Sequence, residues 1–211
     1  IPNNRDVTNL AVDGDRIYAV TYGAGTNSLI SGVYLLTNQG KSWAEVGPKN
    51  GIEVNEFTAF TASGASLFVG TSEGLVYGSS DQGRSWKVFD GGLPKEPVVD
   101  LVISGATVFA GTGSGVFFSS GNGQGWKAFT NGMTDTRITS LIKRGAVLFA
   151  STLGGSVFRL EANVQDWSPS NAGLTNLFTN AIAFSNNNLF AGSLGSGIFR
   201  SSNGGRTWTP S

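Results

Sequence analysis

An apolar position, followed seven residues later by a second apolar position and then at once by an aromatic ring, recurs five times along the chain. The first positions are Leu10, Phe60, Leu101, Leu141 and Ile182, and the second are Ile17, Leu67, Val108, Leu148 and Leu189. The rings that follow are Tyr18, Phe68, Phe109, Phe149 and Phe190. Small residues and a hydroxyl come next, as in Val69-Gly70-Thr71 and Ala110-Gly111-Thr112. A second apolar-aromatic pair then appears: Val33-Tyr34, Val76-Tyr77, Val116-Phe117, Val157-Phe158 and Ile198-Phe199. Short runs of β-branched and aromatic residues punctuated by glycine are strand and hairpin signals. Each unit therefore predicts four short strands, typified in the third unit by Val98–Ser104, Val108–Thr112, Val116–Ser120 and Trp126–Phe129. Nothing predicts a helix of useful length.

Each unit closes on a turn and a tryptophan. The fullest version is Ser79-Ser80-Asp81-Gln82-Gly83-Arg84-Ser85-Trp86, and versions recur at Thr37–Trp43, Ser119–Trp126, Glu161–Trp167 and Ser201–Trp208. All five tryptophans of the chain occupy this place, and in units two to five the tryptophan follows the first apolar anchor by 26, 25, 26 and 26 residues. A short Asp or Asn side chain can bond backbone amides two residues on and hold a tight turn. Glycine two positions later accepts φ > 0. Asn38 and Gly40, Asp81 and Gly83, and Asn203 and Gly205 supply both parts, whereas the third copy keeps only Gly123 and the fourth has neither. Trp43, Trp86, Trp126, Trp167 and Trp208 survive throughout, so the anchor matters more than the turn. Four-stranded units at this period predict an all-β, five-bladed β-propeller.

The pattern Ser-x-Asp-x-Gly-x-x-Trp, complete at Ser79–Trp86 and carrying Asn203 for Asp at Ser201–Trp208, resembles the Asp-box or BNR repeat. The resemblance covers essentially the whole chain. It implies propeller blades with the box between the third and fourth strands. It is specific for fold and weak for function, because the repeat occurs in sialidases, other glycosidases, sorting receptors and photosystem assembly factors.

A chain of 211 residues is expected to form a single propeller domain with blades at about 1–52, 53–93, 94–133, 134–174 and 175–211. It runs from strand one to strand four, which implies a complete five-blade ring; a piece of a larger ring is the competing reading. Charge is sparse and balanced, 14 basic against 14 acidic residues, so no field favours nucleic acid or an anionic membrane. No apolar run reaches the length of a membrane span. With no cysteine and no histidine, disulfides, ordinary zinc sites and Ser-His-Asp chemistry are excluded. Neither a metal nor a cofactor is expected. The Asn-, Ser-, Thr- and Gly-rich composition suits an extracellular or periplasmic bacterial protein, and a monomer is expected.

Departures from a repeat are where function can live. Unit one inserts about seven residues within Tyr22–Ser31 and two more within Gly47–Glu56. Both expansions fall on loops expected on one face, where they form a pocket wall or are neutral growth. Four residues before the anchors stand Asp6, Glu56, Pro97, Arg137 and Phe178, expected at the channel mouth with Asp100 nearby. Candidate ligand-binding residues are thus Asp6, Tyr22, Asn27, Glu56, Asp100 and Arg137. Tyr22 and Phe178 are the candidates for stacking on a sugar. The carboxylates could also form a cation site or a glycosidic pair, or stand apart around a wet channel.

The sialidase resemblance implies three converging arginines and a tyrosine nucleophile. Arg5 and Arg137 lie near the mouth, Arg84 and Arg206 belong to the boxes on the other face, and Arg159 and Arg200 point outward or along the blade. The third arginine is therefore missing. The favoured reading is a non-catalytic scaffold presenting a propeller face to a protein or carbohydrate ligand. The alternative is a carboxylate-dependent glycosidase acting at the channel mouth.

Overall fold

A β-sheet with one apolar face must bury that face against another element, and here the neighbouring repeat supplies the cover. In the computed structural model the chain is a five-bladed β-propeller, each blade a four-stranded antiparallel sheet with strands bonded in sequence order. The structure describes residues 1, 5–22, 31–37, 40–47, 56–89, 91–121 and 125–211. Blade one holds β1 (Asp6–Asp13), β2 (Arg16–Tyr22), β3 (Gly32–Thr37) and β4 (Ser42–Glu45). Blade two holds β5 (Phe57–Ser63), β6 (Ser66–Thr71), β7 (Val76–Ser79) and β8 (Lys87–Val88). Blade three holds β9 (Asp100–Ser104), β10 (Thr107–Thr112), β11 (Gly115–Ser120) and β12 (Lys127–Ala128). Blade four holds β13 (Ile138–Arg144), β14 (Val147–Thr152), β15 (Ser156–Leu160) and β16 (Ser168–Pro169). Blade five holds β17 (Thr179–Ser185), β18 (Asn188–Ser193), β19 (Gly197–Ser201) and β20 (Thr209–Pro210). No helix among the described residues is long and apolar enough to cross a membrane.

By its contacts the chain divides into two compact units, 1–108 with 119–126, and 109–118 with 127–211. In the first, Tyr18 and Val33 of blade one pack against Phe57, Phe60 and Leu67 of blade two, with the Tyr18 and Phe60 rings 5.4 Å apart. Further along the same unit, Gly70 leaves room for the next blade: a Cβ there would lie 2.6 Å from Val98 Cγ1. In the second unit Phe149 and Val157 of blade four pack against Ile182, Leu189 and Phe199 of blade five. Each such side chain contributes about 1.5–3 kcal/mol when fully buried, so the seams between blades carry most of the core.

A polar staple repeats across these seams. The Trp86 indole N–H donates to the Val46 carbonyl at 3.0 Å, and that of Trp126 to Phe89 at 2.9 Å. The Trp167 indole reaches Phe129 and the Trp208 indole reaches Ser170, each at 2.7 Å. Every acceptor lies three residues after the preceding tryptophan. The backbone N–H of Trp126, Trp167 and Trp208 also donates to Gly91, Asn131 and Ala172, five residues after the preceding tryptophan. One residue further stand Gly92, Gly132 and Gly173, with φ of +99°, +85° and +93°. A Cβ on Gly173 would lie 2.1 Å from the Trp208 carbonyl oxygen. These link glycines are a second constant of the repeat, as demanding as the tryptophan itself.

The turn before Trp86 is built as its residue types predict. Ser79 Oγ accepts the Gly83 N–H at 2.8 Å, and Asp81 Oδ1 accepts the Ser85 N–H at 2.9 Å. The Ser85 hydroxyl donates to Asp81 Oδ2 at 2.6 Å. In the fifth copy Asn203 Oδ1 takes the Thr207 N–H at 3.0 Å, while its Nδ2 donates to Thr207 Oγ1 at 2.7 Å. The fourth copy, which lacks both turn residues, keeps the left-handed step at Asn163 (φ 63°), the place of Gln82 (φ 64°). Asparagine tolerates that conformation better than most residues. Asn38 and Gly123 lie outside the described residues. Hydrogen bonds from Ser85, its hydroxyl first, and from Ser79 hold the Asp81 carboxyl at about 2, below its ordinary 3.8. A carboxyl lowered on folding stabilises the fold above its unfolded value. The contribution is complete above 3.8 and fades as pH falls from there through about 2.

Two outcomes are expected. Trp208→Phe keeps the ring but orphans the Ser170 carbonyl, lowering the unfolding free energy by about 1–3 kcal/mol in a denaturant titration; an unmoved midpoint would show the staple to be idle. Asp81→Ala lowers the melting temperature at neutral pH, and its deficit shrinks steadily below about pH 4. An equal deficit at about pH 2 would contradict the ionised acceptor.

Candidate functional site

Where blade two and blade four are compared strand by strand, one substitution stands out. On the middle strands, Phe68 pairs with Gly78 and Phe149 pairs with Arg159. Glycine in blade two makes space for Phe89: a Cβ on Gly78 would lie 2.7 Å from that ring. In blade four the same position carries a guanidinium. Its side chain is only 13% exposed, it pairs with Glu161, and its Nε is buried with no acceptor among the described residues.

Arg159 does not stand alone. A cleft of about 480 Å³ in the second unit is lined by Arg144, Val147, Phe149, Arg159, Phe184 and Arg206. A shallower one of about 300 Å³ is also lined by Arg159 and Arg206 and runs over Glu161 and Ser168. Arg144, at the end of β13, lies 5.1 Å over the Phe184 ring and donates to Asn187 Oδ1 at 2.6 Å, tying the hairpins of blades four and five. Phe184 meets Phe149 edge-on at 5.7 Å. The floor is aromatic and the walls carry three guanidinium groups against one carboxylate. Such a surface suits a flat or apolar group bearing a negative charge, since guanidinium forks match carboxylate, sulfate and phosphate oxygens. The equivalent hollow of blade two, lined by Ser66, Phe68, Gly78 and Lys87 among others, has about 160 Å³ and no arginine.

The residues expected at the channel mouth are less gathered. Asp6 and Tyr22 stand directly opposite each other at the first rung of β1 and β2, Asp6 exposed and Tyr22 half-buried. Glu56 is exposed, and its backbone carbonyl accepts the Ser72 N–H at 3.2 Å. Asp100 opens β9, and its Oδ1 accepts the Leu101 N–H at 2.8 Å. Asn27 lies outside the described residues, as does most of both unit-one expansions. Among the described residues no group of three or more carboxylates is placed to hold a metal ion.

Arg137, expected to balance the mouth carboxylates, is engaged elsewhere. Its Nη2 donates to Asp135 Oδ2 at 2.9 Å and its Nε to Oδ1 at 3.2 Å, a two-pronged ion pair. The hydrogen bond from Arg137 is the main reason the Asp135 carboxyl lies below its ordinary range. Arg5 is engaged too: it donates to the Tyr34 hydroxyl at 2.8 Å. Burial first, and then the Glu45 charge, raise the Tyr34 hydroxyl above its ordinary value, opposite to the shift that activates a nucleophile. Phe178 is 50% exposed, as a stacking residue requires.

The repeat sets Arg159 beside Arg200 as facing outward or along the blade; Arg200 is exposed and Arg159 mostly buried. Blade five covers the one, and among the described residues nothing covers the other. It also assigned Arg206 to a box face remote from any site. Arg144 and Asp135 it passed over. The available signal was the glycine at position 78 replaced by arginine at 159.

No family model and no curated protein matches the chain. Several solved structures share its fold. The GH74 enzyme of Niastella koreensis aligns over 96% of this chain and 38% of its own, with 18% identity and a TM-score of 0.73. The extracellular domain of the putative one component system BT4673 from B. thetaiotaomicron aligns over 99% of this chain and 28% of its own, with 17% identity and a TM-score of 0.71. YCF48 bound to D1 peptide aligns over 97% of this chain and 66% of its own, with 16% identity and a TM-score of 0.67. The chain thus spans less than two thirds of each. At these identities the likeness concerns the propeller fold.

The Asp135 carboxyl is expected to titrate below 3.8 when followed by NMR, and Arg137→Met should bring it back towards that value. A midpoint that does not move in the variant would contradict the pairing.

Proposed function

We propose that the protein is a non-catalytic binding scaffold of the Asp-box repeat type, exported by a bacterium. It holds an anionic group of a protein or carbohydrate ligand in the Arg144–Arg159–Arg206 cleft. The observation that carries this reading is the buried Arg159, where a guanidinium replaces the glycine of the sister blade and leaves its Nε without an acceptor among the described residues. A buried donor left unpaired costs free energy, and an incoming anion would recover it. The neighbours lend support of a general kind: YCF48 has been solved with a peptide bound, and the BT4673 neighbour is an extracellular domain.

The exposed Asp6 and Glu56, with Tyr22 and Asp100, remain candidates for a second contact surface. A glycosidase would need one carboxyl raised to act as general acid. Among the described residues, the two carboxyls that depart from their ordinary range, Asp81 and Asp135, are lowered.

The test is an array of acidic and neutral peptides together with uronate-bearing, sialylated and neutral glycans, run beside a glycosidase-substrate panel. Binding to anionic members without turnover is expected. It should weaken by about 10- to 100-fold in Arg159→Met, the loss of a charge-assisted bond, and persist in Asp6→Asn/Glu56→Gln. Turnover abolished in the carboxylate double variant would overturn the scaffold reading in favour of the glycosidase.

A further inference from the structure

Charge that balances over the whole chain does not balance within its two compact units. The first carries seven basic and eleven acidic residues, a net charge of −4; the second carries seven basic and three acidic residues, a net charge of +4. The three carboxylates of the second unit are all engaged inside it. Asp135 pairs with Arg137, Glu161 pairs with Arg159, and Asp166 accepts from the Asn131 amide. Lys127, Lys143, Arg144 and Arg206 are in no ion pair among the described residues. The excess positive charge is therefore carried by side chains that no carboxylate neutralises.

Topology gathers these cations. In an antiparallel blade bonded in sequence order, the turn after the first strand and the turn after the third lie at the same end. Lys143 and Arg144 close β13 before the first kind of turn. Arg206 lies in the second kind, between β19 and β20, and Lys127 opens β12 just after it. Arg159 is the penultimate residue of β15. Arg137 stands at the other end, before β13, where Asp135 occupies it. One rung also repeats: Lys127 stands opposite Phe118, Arg159 opposite Ser168 and Arg200 opposite Thr209. Residues directly opposite on paired strands share a face of the sheet. The cation changes strand between blade three and blade four but keeps its rung.

We infer that this end of the second unit docks a linear anionic glycan, a chain with a carboxylate or sulfate on successive sugars. The inference rests on the reading of the Arg144–Arg159–Arg206 cleft as an anion site and extends it. The cleft holds one charged group, and Lys127 and Lys143, which do not line it, meet others on the same chain. A lone anion would reach the cleft arginines only. Charge by itself would suit a nucleic acid strand too, but unpaired bases are held by stacking on accessible aromatic rings. Phe178 is the only exposed aromatic ring of the unit and stands at the link end. Phe149 is 2% exposed, and Phe184 lies beneath the Arg144 guanidinium. A glycan needs no such platform: its repeated charge meets the cations, and its hydroxyls meet polar groups such as Ser168 beside Arg159 and Arg206.

The test is calorimetric titration with galacturonic acid, with oligogalacturonates of increasing length, and with a single-stranded DNA and a polyglutamate of matched charge, each at several salt concentrations. Three proteins are compared: the wild type, Lys127→Gln/Lys143→Gln, and Lys41→Gln/Lys95→Gln, which makes the same charge change in the first unit. All four lysines are exposed, so both variants should fold with an unchanged circular dichroism spectrum. Wild-type affinity is expected to rise with oligomer length and to fall with salt. The Lys127/Lys143 pair should lower affinity for the long oligomers by ~10-fold and flatten the salt dependence, leaving the monomer unaffected, and the Lys41/Lys95 pair should change neither. Long oligomers bound no better than the monomer, through Arg159 alone, would overturn this inference and leave the cleft reading standing. Equal losses in the two double variants, or DNA or polyglutamate bound as tightly as the glycan, would overturn it as well. Failure of every anionic probe to bind would overturn both readings together.

Discussion

The hydrogen bond from the indoles of Trp86, Trp126, Trp167 and Trp208 to the carbonyl three residues after the preceding tryptophan is the constraint on which the blade order rests. A four-stranded blade of this size has two apolar faces and cannot bury either alone. Dispersion and burial between neighbouring faces supply most of the free energy, but they are indifferent to small slides. The indole N–H, together with the backbone N–H of the same tryptophan, is not: it fixes one blade against the next at a single height. The link glycines follow from this, because the chain must turn at the point where the next tryptophan carbonyl approaches within contact distance. The serine-aspartate turn follows as well, since it delivers the tryptophan at the correct angle. It can decay, as at Glu161–Trp167, provided one residue such as Asn163 still adopts the left-handed step.

The fold was legible because its two periodicities are written in residue types. Alternation of apolar and aromatic positions marks strands, and the near-constant spacing of anchor and tryptophan marks blades. Trp126, Trp167 and Trp208 lie in the core as an anchor should, while Trp43 and Trp86 are half-buried. The link glycines Gly92, Gly132 and Gly173 each stand six residues after a tryptophan, a weaker signal than the tryptophans because glycine is common throughout the chain. In blade one that position is Lys49, outside the described residues, so the column is broken in the first repeat.

The site was far less legible. Arg144, Arg159 and Arg206 are distant in sequence, and each has a bland explanation on its own as hairpin tie, strand residue or turn charge. Only the folding of blades four and five against one another puts them round one cleft. The pairing of Arg137 was hidden for a similar reason: its partner Asp135 lies two positions away in a link that carried no repeat signal. Position in a repeat tells which backbone place a residue takes. What its side chain meets depends on the next blade.

The central claim is that the indole staples hold the seams, and the direct measurement is hydrogen exchange at the tryptophan Nε1–H groups, resolved by NMR. The account predicts that Trp86, Trp126, Trp167 and Trp208 exchange slowly, at the rate of global unfolding, because their bonds break only when a seam opens. Exchange of these four protons at the rapid rate of exposed indoles, in a protein that remains folded, would contradict it.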